Sequence, residues 1–260
     1  MPLPERGFLS EPFDHVRREV RRNHIGWHEL LHKVNVAALA AQEQVSVHDG
    51  EVREKFGASL FARTIASSQA AVLLLEHGLV SQARCVLRSG LESLFALSAI
   101  SRRPALVERL VETHKAEQQR VAKSVSLWKH PDLKEIAKAQ FPQELLDEHL
   151  DVEANAISAF DLAQAGGLED WYRTIYMTLS WSAHSAAIDL ERHFVHDANG
   201  DLSEMRNEPE TERQEVSWLM AIELLIKAVL ALAGIFDSVN VVPINEYKTQ
   251  LHALVAEAEG

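Results

Sequence analysis

The chain has 260 residues, of which 47% are hydrophobic and 25% are charged, a balance that is typical of a folded globular protein and excludes a disordered chain. The formal net charge of -12 disfavours a general surface for nucleic-acid backbones, because nonspecific binding to phosphates depends on Lys and Arg. A local basic patch remains compatible with that charge. The single cysteine, Cys85, excludes an internal disulfide framework and indicates a reducing compartment.

Glycine (11 residues) and proline (8 residues) are scarce, which favours helices joined by short loops over strands joined by many turns. We therefore predict an all-α fold, a single helical-bundle domain of about eight helices. The N-terminus lacks the apolar core of a secretory signal, and the most apolar stretch, 219–236, is interrupted by Glu223 and Lys227. We expect a cytoplasmic protein with no membrane partner.

The first predicted helix spans 14–44. A second spans 58–77, and Gly78 is expected to end it because glycine accepts the left-handed backbone conformation. Ser81 is predicted to cap a third helix, SQARCVLRSGLESLFALSAIS, which stops before Pro104.

The rest of the chain is also predicted to be helical, with one interruption. Helices are expected over 104–129, 132–140, 142–163, 168–195, 211–239 and 245–257, and the polar segment HDANGDLSEMRNEPET predicts an exposed loop. No linker separates two domains. The predicted parts are an N-terminal helix and turn (1–57), a core (58–196), the loop (197–210) and C-terminal helices (211–260).

Residues 28–32 read HELLH, the pattern of a zinc metalloprotease helix. His24, His28 and His32 lie at i, i+4 and i+8 and can face one metal ion, while Glu29 stands where a protease has its general base. No glycine-plus-histidine extension follows, and no strand is predicted that would hold a peptide substrate. Metal binding by the three histidines is kept as an alternative to a solvated helix face.

The same helix contains RNHIGWH, in which five residues separate Arg22 from His28, and Arg18 and His24 have the same spacing. This spacing resembles the Arg-His motif of HEPN (higher-eukaryote and prokaryote nucleotide-binding) ribonucleases, in which the pair serves acid-base cleavage of a phosphodiester. A solvated basic face is the alternative interpretation.

Two later helices carry polar stripes among apolar residues. Arg84, Arg88 and Glu92 occupy i, i+4 and i+8 of the third helix, so they should face a cleft or pair within the core.

Tyr176, Ser180 and His184 have the same spacing in YRTIYMTLSWSAHSAA, and His184 is the one that titrates near neutral pH. The structural alternatives are an Arg88-Glu92 ion pair and a hydrogen-bond network that only satisfies its own groups.

The stretches HGLVSQARCVLRSGLESLFAL and AGGLEDWYRTIYMTLSWSAHSAA resemble a bacterial all-helical family of unknown function that is itself similar to HEPN domains. The resemblance spans roughly residues 60–195, and the carrying positions are Gly78, Arg88, Glu92, Tyr176, Ser180 and His184. It implies a HEPN-like core in which the two polar faces meet, a homodimer, and binding of a nucleotide or RNA in bacterial defence or stress.

The resemblance also implies roles for these residues, in a ribonuclease that uses neither a cofactor nor a metal. His184 is the expected acid-base, Arg88 the expected phosphate contact and Glu92 its orienting partner, while Tyr176 and Ser180 position the substrate.

Arg84 and Arg173 are the expected further substrate contacts. One departure is that Arg173 lies farther from His184 than the four to six residues of the HEPN motif. A non-catalytic dimeric interaction module, in which the same residues form a structural network, is the alternative from another class.

Overall fold

The computed structural model describes residues 7–9, 14–126, 135, 157–184, 186–205 and 208–259. The first half of the described chain is a series of long helices after a 3-10 turn at Gly7–Leu9: α1 (Asp14–Asn23), α2 (Ile25–Glu43), α3 (Val52–Glu76), α4 (Val80–Arg102) and α5 (Leu106–Ser126). The all-α class is confirmed.

The second half has shorter elements before two final helices. In chain order they are α6 (Ala159–Ala165), α7 (Glu169–Trp171), a π-helical turn (Tyr172–Tyr176), α8 (Met177–Ala183), α9 (Ala187–Leu190), a 3-10 turn (Glu191–His193), β1 (Phe194–His196), β2 (Leu202–Met205), α10 (Glu215–Ala233) and α11 (Val242–Glu259). The strands β1 and β2 form one small antiparallel hairpin.

The core lies where α3, α4 and α10 pack together, with α2 closing one side of α10. The sequence of α10 is apolar on nearly every face, which is why the helix is buried on most sides. The largest fully buried side chains of this core are Trp218 of α10, Phe61 of α3 and Phe95 of α4, together with a group of leucines and isoleucines. Burying each such side chain contributes roughly 1.5–3 kcal/mol.

Helices α3 and α10 are long and apolar enough to cross a membrane by length and composition. Within the bundle, 33% of the apolar window of α3 and 67% of that of α10 are buried. Glu223 and Lys227 of α10 form an ion pair of 3.1 Å, and the Lys227 ammonium lies 4.5 Å from the centre of the Trp171 ring.

The single helix predicted over 14–44 is divided into α1 and α2 at His24. His24 leaves the helical conformation (φ -127°, ψ 35°), but its N–H still bonds the Val20 carbonyl and its carbonyl accepts from His28. The face of α1 is therefore continued by α2.

The prediction of one long helix over 168–195 is wrong. A π-helical turn interrupts it, α8 ends at Ala183, and Ala186 is extended (ψ 147°). The buried Asp189 accepts a 2.7 Å hydrogen bond from the Ser182 hydroxyl and so stabilises the turn that follows. The predicted loop after it contains β2, whose residues are exposed.

The other predicted helix boundaries differ less from those of the structure. Gly78 adopts φ +71° and ends α3 as predicted, but Ser81 lies inside α4 rather than capping it. Except for residue 135, which is helical, the helix predicted over 132–140 falls outside the described residues, as does most of the one predicted over 142–163. In the described end of the latter, residues 157–158 are not helical and the helix begins at Ala159. The Ser158 hydroxyl accepts from the Asp161 N–H in a capping box.

Candidate functional site

The structure brings four of the predicted site residues together between α4 and α8, and we name this group the Arg88 network: Arg88, Glu92, Tyr176 and Ser180. Arg88 donates from Nη2 to the Tyr176 hydroxyl (2.6 Å) and from Nε to Ser180 Oγ (3.0 Å). Tyr176 in turn donates to Glu92 Oε1 (2.7 Å), which also lies 3.2 Å from Arg88 Nη1.

Local backbone geometry explains how the network forms. Arg88 and Glu92 are one turn apart on α4, so both face α8. The π-helical turn ends at Tyr176, and such turns insert one residue into a helix and occur often at functional sites. Ser180 donates to the Tyr176 carbonyl (2.7 Å), which fixes its hydroxyl as the acceptor for Arg88.

Aromatic packing holds Tyr176 in place. Its ring is stacked on that of Tyr172 with centroids 4.9 Å apart, lies 5.7 Å from the Phe95 ring, and is covered by the Arg88 guanidinium at 4.7 Å. Burial raises the pKa of Tyr176 far above its ordinary value, and the hydrogen bond to the Glu92 carboxylate adds to the rise. The phenol therefore acts as a hydrogen-bond donor and not as a base.

The network is partly open to solvent. The side chain of Arg88 is 23% exposed and that of Glu92 is 42% exposed. Nearby, burial and the charge of Asp189 raise the pKa of Cys85, so the thiol stays protonated and is a poor nucleophile.

Three other predicted residues lie apart from the network. His184 follows the last turn of α8, is exposed, and its imidazole makes no hydrogen bond to the described residues. Arg84 donates to Ser217 Oγ of α10 (3.3 Å). Arg173 is exposed and is paired with Glu169 at 2.7 Å.

A second polar cluster, which the sequence interpretation missed, surrounds Glu76 at the end of α3. This carboxylate is buried (3% exposed) and accepts from Arg17 Nη2 (3.0 Å) and Arg21 Nε (2.8 Å). His28 Nε2 lies 3.1 Å from the same carboxylate, and His32 Nε2 lies 3.2 Å from His28 Nε2. We name these five residues the Glu76 cluster.

Hydrogen bonds keep Glu76 ionised in spite of its burial. Burial raises the pKa of the carboxyl group, but the hydrogen bonds from Arg21 and Arg17 and their positive charges outweigh this, and the pKa lies below its ordinary value. Burial lowers the pKa of His28 more than Glu76 raises it, so the imidazole is neutral near pH 7. A neutral His28 close to a carboxylate must carry its proton on Nε2.

The three histidines of the predicted metal site do not converge. His24 is buried (2% exposed) beside Trp218, with neither ring nitrogen in a hydrogen bond of normal length and Glu215 Oε1 at 3.6 Å from Nδ1. In the part of the chain that the structure describes, no group of three or more His, Cys, Asp or Glu side chains is arranged to hold a metal ion.

The arginines predicted to pair with histidine are also placed differently. Arg18 and Arg22 are exposed on the outer face of α1, and their neighbours Arg17 and Arg21 meet His28 at Glu76 instead.

Comparison with known proteins gives one match. The sequence pattern of a family of unknown function, DUF5677, matches residues 54–201, which is more than half of the chain and includes the Arg88 network, His184 and Glu76. No curated protein and no solved structure matches the chain.

Proposed function

We propose that this chain, which belongs to the DUF5677 family, is a HEPN-like helical protein that binds a nucleotide or RNA at the Arg88 network. One observation carries the proposal: the Arg88 guanidinium is held by Tyr176, Ser180 and Glu92, and its side chain stays 23% exposed to solvent. A pre-positioned guanidinium is well suited to a phosphate, because its donors match the phosphate oxygens in a fixed plane.

One exposed aromatic side chain on the helix that carries Ser180 supports a single-stranded ligand. Trp181 of α8 is 44% exposed, and Met177 lies one turn before it on the same helix. Exposed aromatic rings next to a cation are the usual elements of single-strand binding, since bases stack on the rings while the cation holds the backbone. The acidic chain as a whole fits a short local site rather than a long binding surface.

Cleavage would add one role, that of His184. In RNA the 2′-oxygen attacks the phosphorus and the 5′-oxygen leaves. The protein therefore needs a group that accepts the proton of the 2′-hydroxyl and returns one to the 5′-oxygen, and a cation that stabilises charge on the phosphate. His184 is exposed at the end of the helix that carries Ser180, where a bound strand can reach it. Arg88 would stabilise the phosphate, and Tyr176, whose hydroxyl accepts from Arg88 and donates to Glu92, would hold the guanidinium in position.

The test is binding and cleavage of labelled single-stranded RNAs and nucleotides by purified protein, with Arg88→Gln, His184→Gln and the control Arg63→Gln. Arg63 is exposed on α3, so its variant has the same change of net charge away from the network. We expect binding to weaken about tenfold in Arg88→Gln and cleavage to fall in both site variants. Equal binding by Arg88→Gln and Arg63→Gln would reject the site.

A non-catalytic dimeric module is the second candidate, and the closed hydrogen bonding of the network favours it. The hydroxyls of Tyr176 and Ser180 each both donate and accept within the protein, as in a purely structural cross-link between α4 and α8. Met177, Trp181 and Ile188 present exposed apolar surface that a second copy could cover.

Light scattering after gel filtration measures this alternative directly. A dimer that Trp181→Ser converts to a monomer, without any RNA binding by the wild type, would support the module. A wild-type monomer would reject it.

A further inference from the structure

A cavity of about 330 Å³ lies between α1, α2, α3 and α10, and four of the five residues of the Glu76 cluster line it. Its volume falls within the usual range for small-molecule sites. Arg17, Arg21, His32 and the Glu76 carboxylate line one end. The side-chain amides of Asn35 and Gln69 line another part, together with Ser68. The Gln69 amide donates to the Asn35 oxygen (2.9 Å), so the Asn35 amide nitrogen keeps its own donors.

Positive charge exceeds negative charge at this end of the cavity. Arg17 and Arg21 share the single carboxylate of Glu76, and burial lowers the pKa of His28, which is therefore neutral. One arginine is enough to balance one carboxylate. The second leaves a net positive charge at the wall of a cavity, where solvent screens it less than on an open surface.

The two guanidinium groups also have donors to spare. Arg17 uses Nε and Nη2 on Glu76, as Arg21 does. Counted over the described residues, this leaves each with about three of its five N–H donors for another acceptor. Both side chains are within reach of solvent, at 36% and 45% exposure. Glu76 therefore positions two guanidinium groups side by side and leaves some of their N–H donors available for a ligand.

Apart from these polar residues, the wall is apolar. Leu31, Val72, Leu73 and Leu225 line it, so the cavity has a cationic end and a hydrophobic side. A bare inorganic ion would leave that side in contact with water. A ligand with an anionic group and an apolar body would cover both.

We propose that this cavity binds a phosphate monoester, with the phosphate on Arg17 and Arg21 and the organic group against Val72 and Leu225. A phosphate offers three terminal oxygens in a geometry that two adjacent guanidinium groups can match with paired hydrogen bonds. The site lies on different helices from the Arg88 network and does not depend on the function proposed there.

The experiment is titration calorimetry of the full chain with phenyl phosphate, which combines the anion with an apolar ring. Inorganic phosphate and phenol are the two partial ligands, and both should bind at least tenfold more weakly. Arg21→Gln removes the excess charge but leaves Arg17 on Glu76. Its matched control is Arg22→Gln, which has the same change in charge on an exposed neighbour.

We expect Arg21→Gln to weaken binding of phenyl phosphate about tenfold and Arg22→Gln to weaken it less than twofold. Val72→Phe fills the cavity without touching an ion pair, and it should abolish binding with little change in Tm. Arg88→Gln should bind normally, which separates this site from the one proposed above.

Three results would overturn the proposal: no binding of phenyl phosphate by the wild type, equal affinity in Arg21→Gln and Arg22→Gln, or unchanged affinity in Val72→Phe.

Discussion

Glu76→Gln is the substitution that best tests how the N-terminal helices are held on the bundle. Glutamine keeps the shape of the side chain but removes the charge that Arg17 and Arg21 share. Breaking a buried ion pair costs about 3–5 kcal/mol when both partners are buried. The two arginines here are 36% and 45% exposed, so solvent compensates part of the loss and we expect about 2–3 kcal/mol.

That loss corresponds to a fall in Tm of about 4–12 °C for a chain of this size. Thermal unfolding followed by circular dichroism at pH 7 measures it. Glu169→Gln is the control, because Glu169 forms a comparable pair with Arg173 on an exposed surface and its loss should change Tm far less.

The pH dependence gives an independent check. The pKa of Glu76 is below its ordinary value of 4.5 in the folded protein, so the unfolded chain binds its proton more readily. The stability from Glu76 is thus complete above the unfolded pKa and is lost as pH falls through the folded pKa. The difference in Tm between wild type and Glu76→Gln should be full above about pH 5.5 and should shrink in stronger acid. A difference that is absent at pH 7, or does not change with pH, would refute the reasoning.

Three further substitutions test other parts of the fold. Tyr176→Phe removes the hydroxyl that accepts from Arg88, and urea unfolding should show a loss of about 1–2 kcal/mol; an unchanged midpoint would mean that the network adds no stability. Gly78→Ala places a Cβ within 2.8 Å of the backbone at 209–210 at φ +71°, so its Tm should fall more than that of Gly50→Ala, where φ is +92° but nothing lies within 4 Å. The opposite order would contradict the close approach. Burial lowers the pKa of His24 below 6.5, so the wild type should lose stability as pH falls below about 6.5, and His24→Leu should lose less over the same range in a pH series of Tm; parallel curves would exclude this cause.

The sequence was sufficient for the fold class and for most of the long helices. Scarce glycine and proline indicated helices, and Gly78 marked the end of α3 because a positive φ is required there. The helix predicted over 168–195 failed for a physical reason. Helical periodicity continues through YRTIYMTLSWSAHSAA, but α8 packs against α4 and ends at Ala183, and Ser182 donates to the buried Asp189. The period of a helix does not reveal these contacts.

Helical spacing predicted each half of the Arg88 network, but it did not predict that the two halves meet. Helical spacing placed Arg88 and Glu92 on one face, and Tyr176 and Ser180 on another. Spacing within a helix says nothing about which faces meet, and the expectation that these two do came from the family resemblance. His184 continued the same stripe in sequence, but the helix ends before it and its side chain lies apart from the others.

Helical periodicity could have predicted four of the five residues of the Glu76 cluster. At about 100° per residue, Arg17, Arg21, His28 and His32 lie within about 60° of one another on a helix that continues through α1 and α2. Matching the Arg-His spacing instead selected Arg18 and Arg22, which point away from that face. The buried stripe of Val16 and Val20 lies next to Arg17 and Arg21, so these are the arginines that border the core.

Their partner could not be found in the same way. Glu76 is more than fifty positions farther along the chain, and it is one of 38 acidic residues, so the helical period alone gives no reason to choose it. Its position in the last turn of α3 does not favour a carboxylate either, because the C-terminal end of a helix carries a partial negative charge. A buried acid at that end needs cations from elsewhere, and α1 supplies two. A residue that conflicts with the preference of its helix position indicates a tertiary contact or a ligand site. One arginine would neutralise the Glu76 carboxylate, so the second arginine is the charge that a ligand can use.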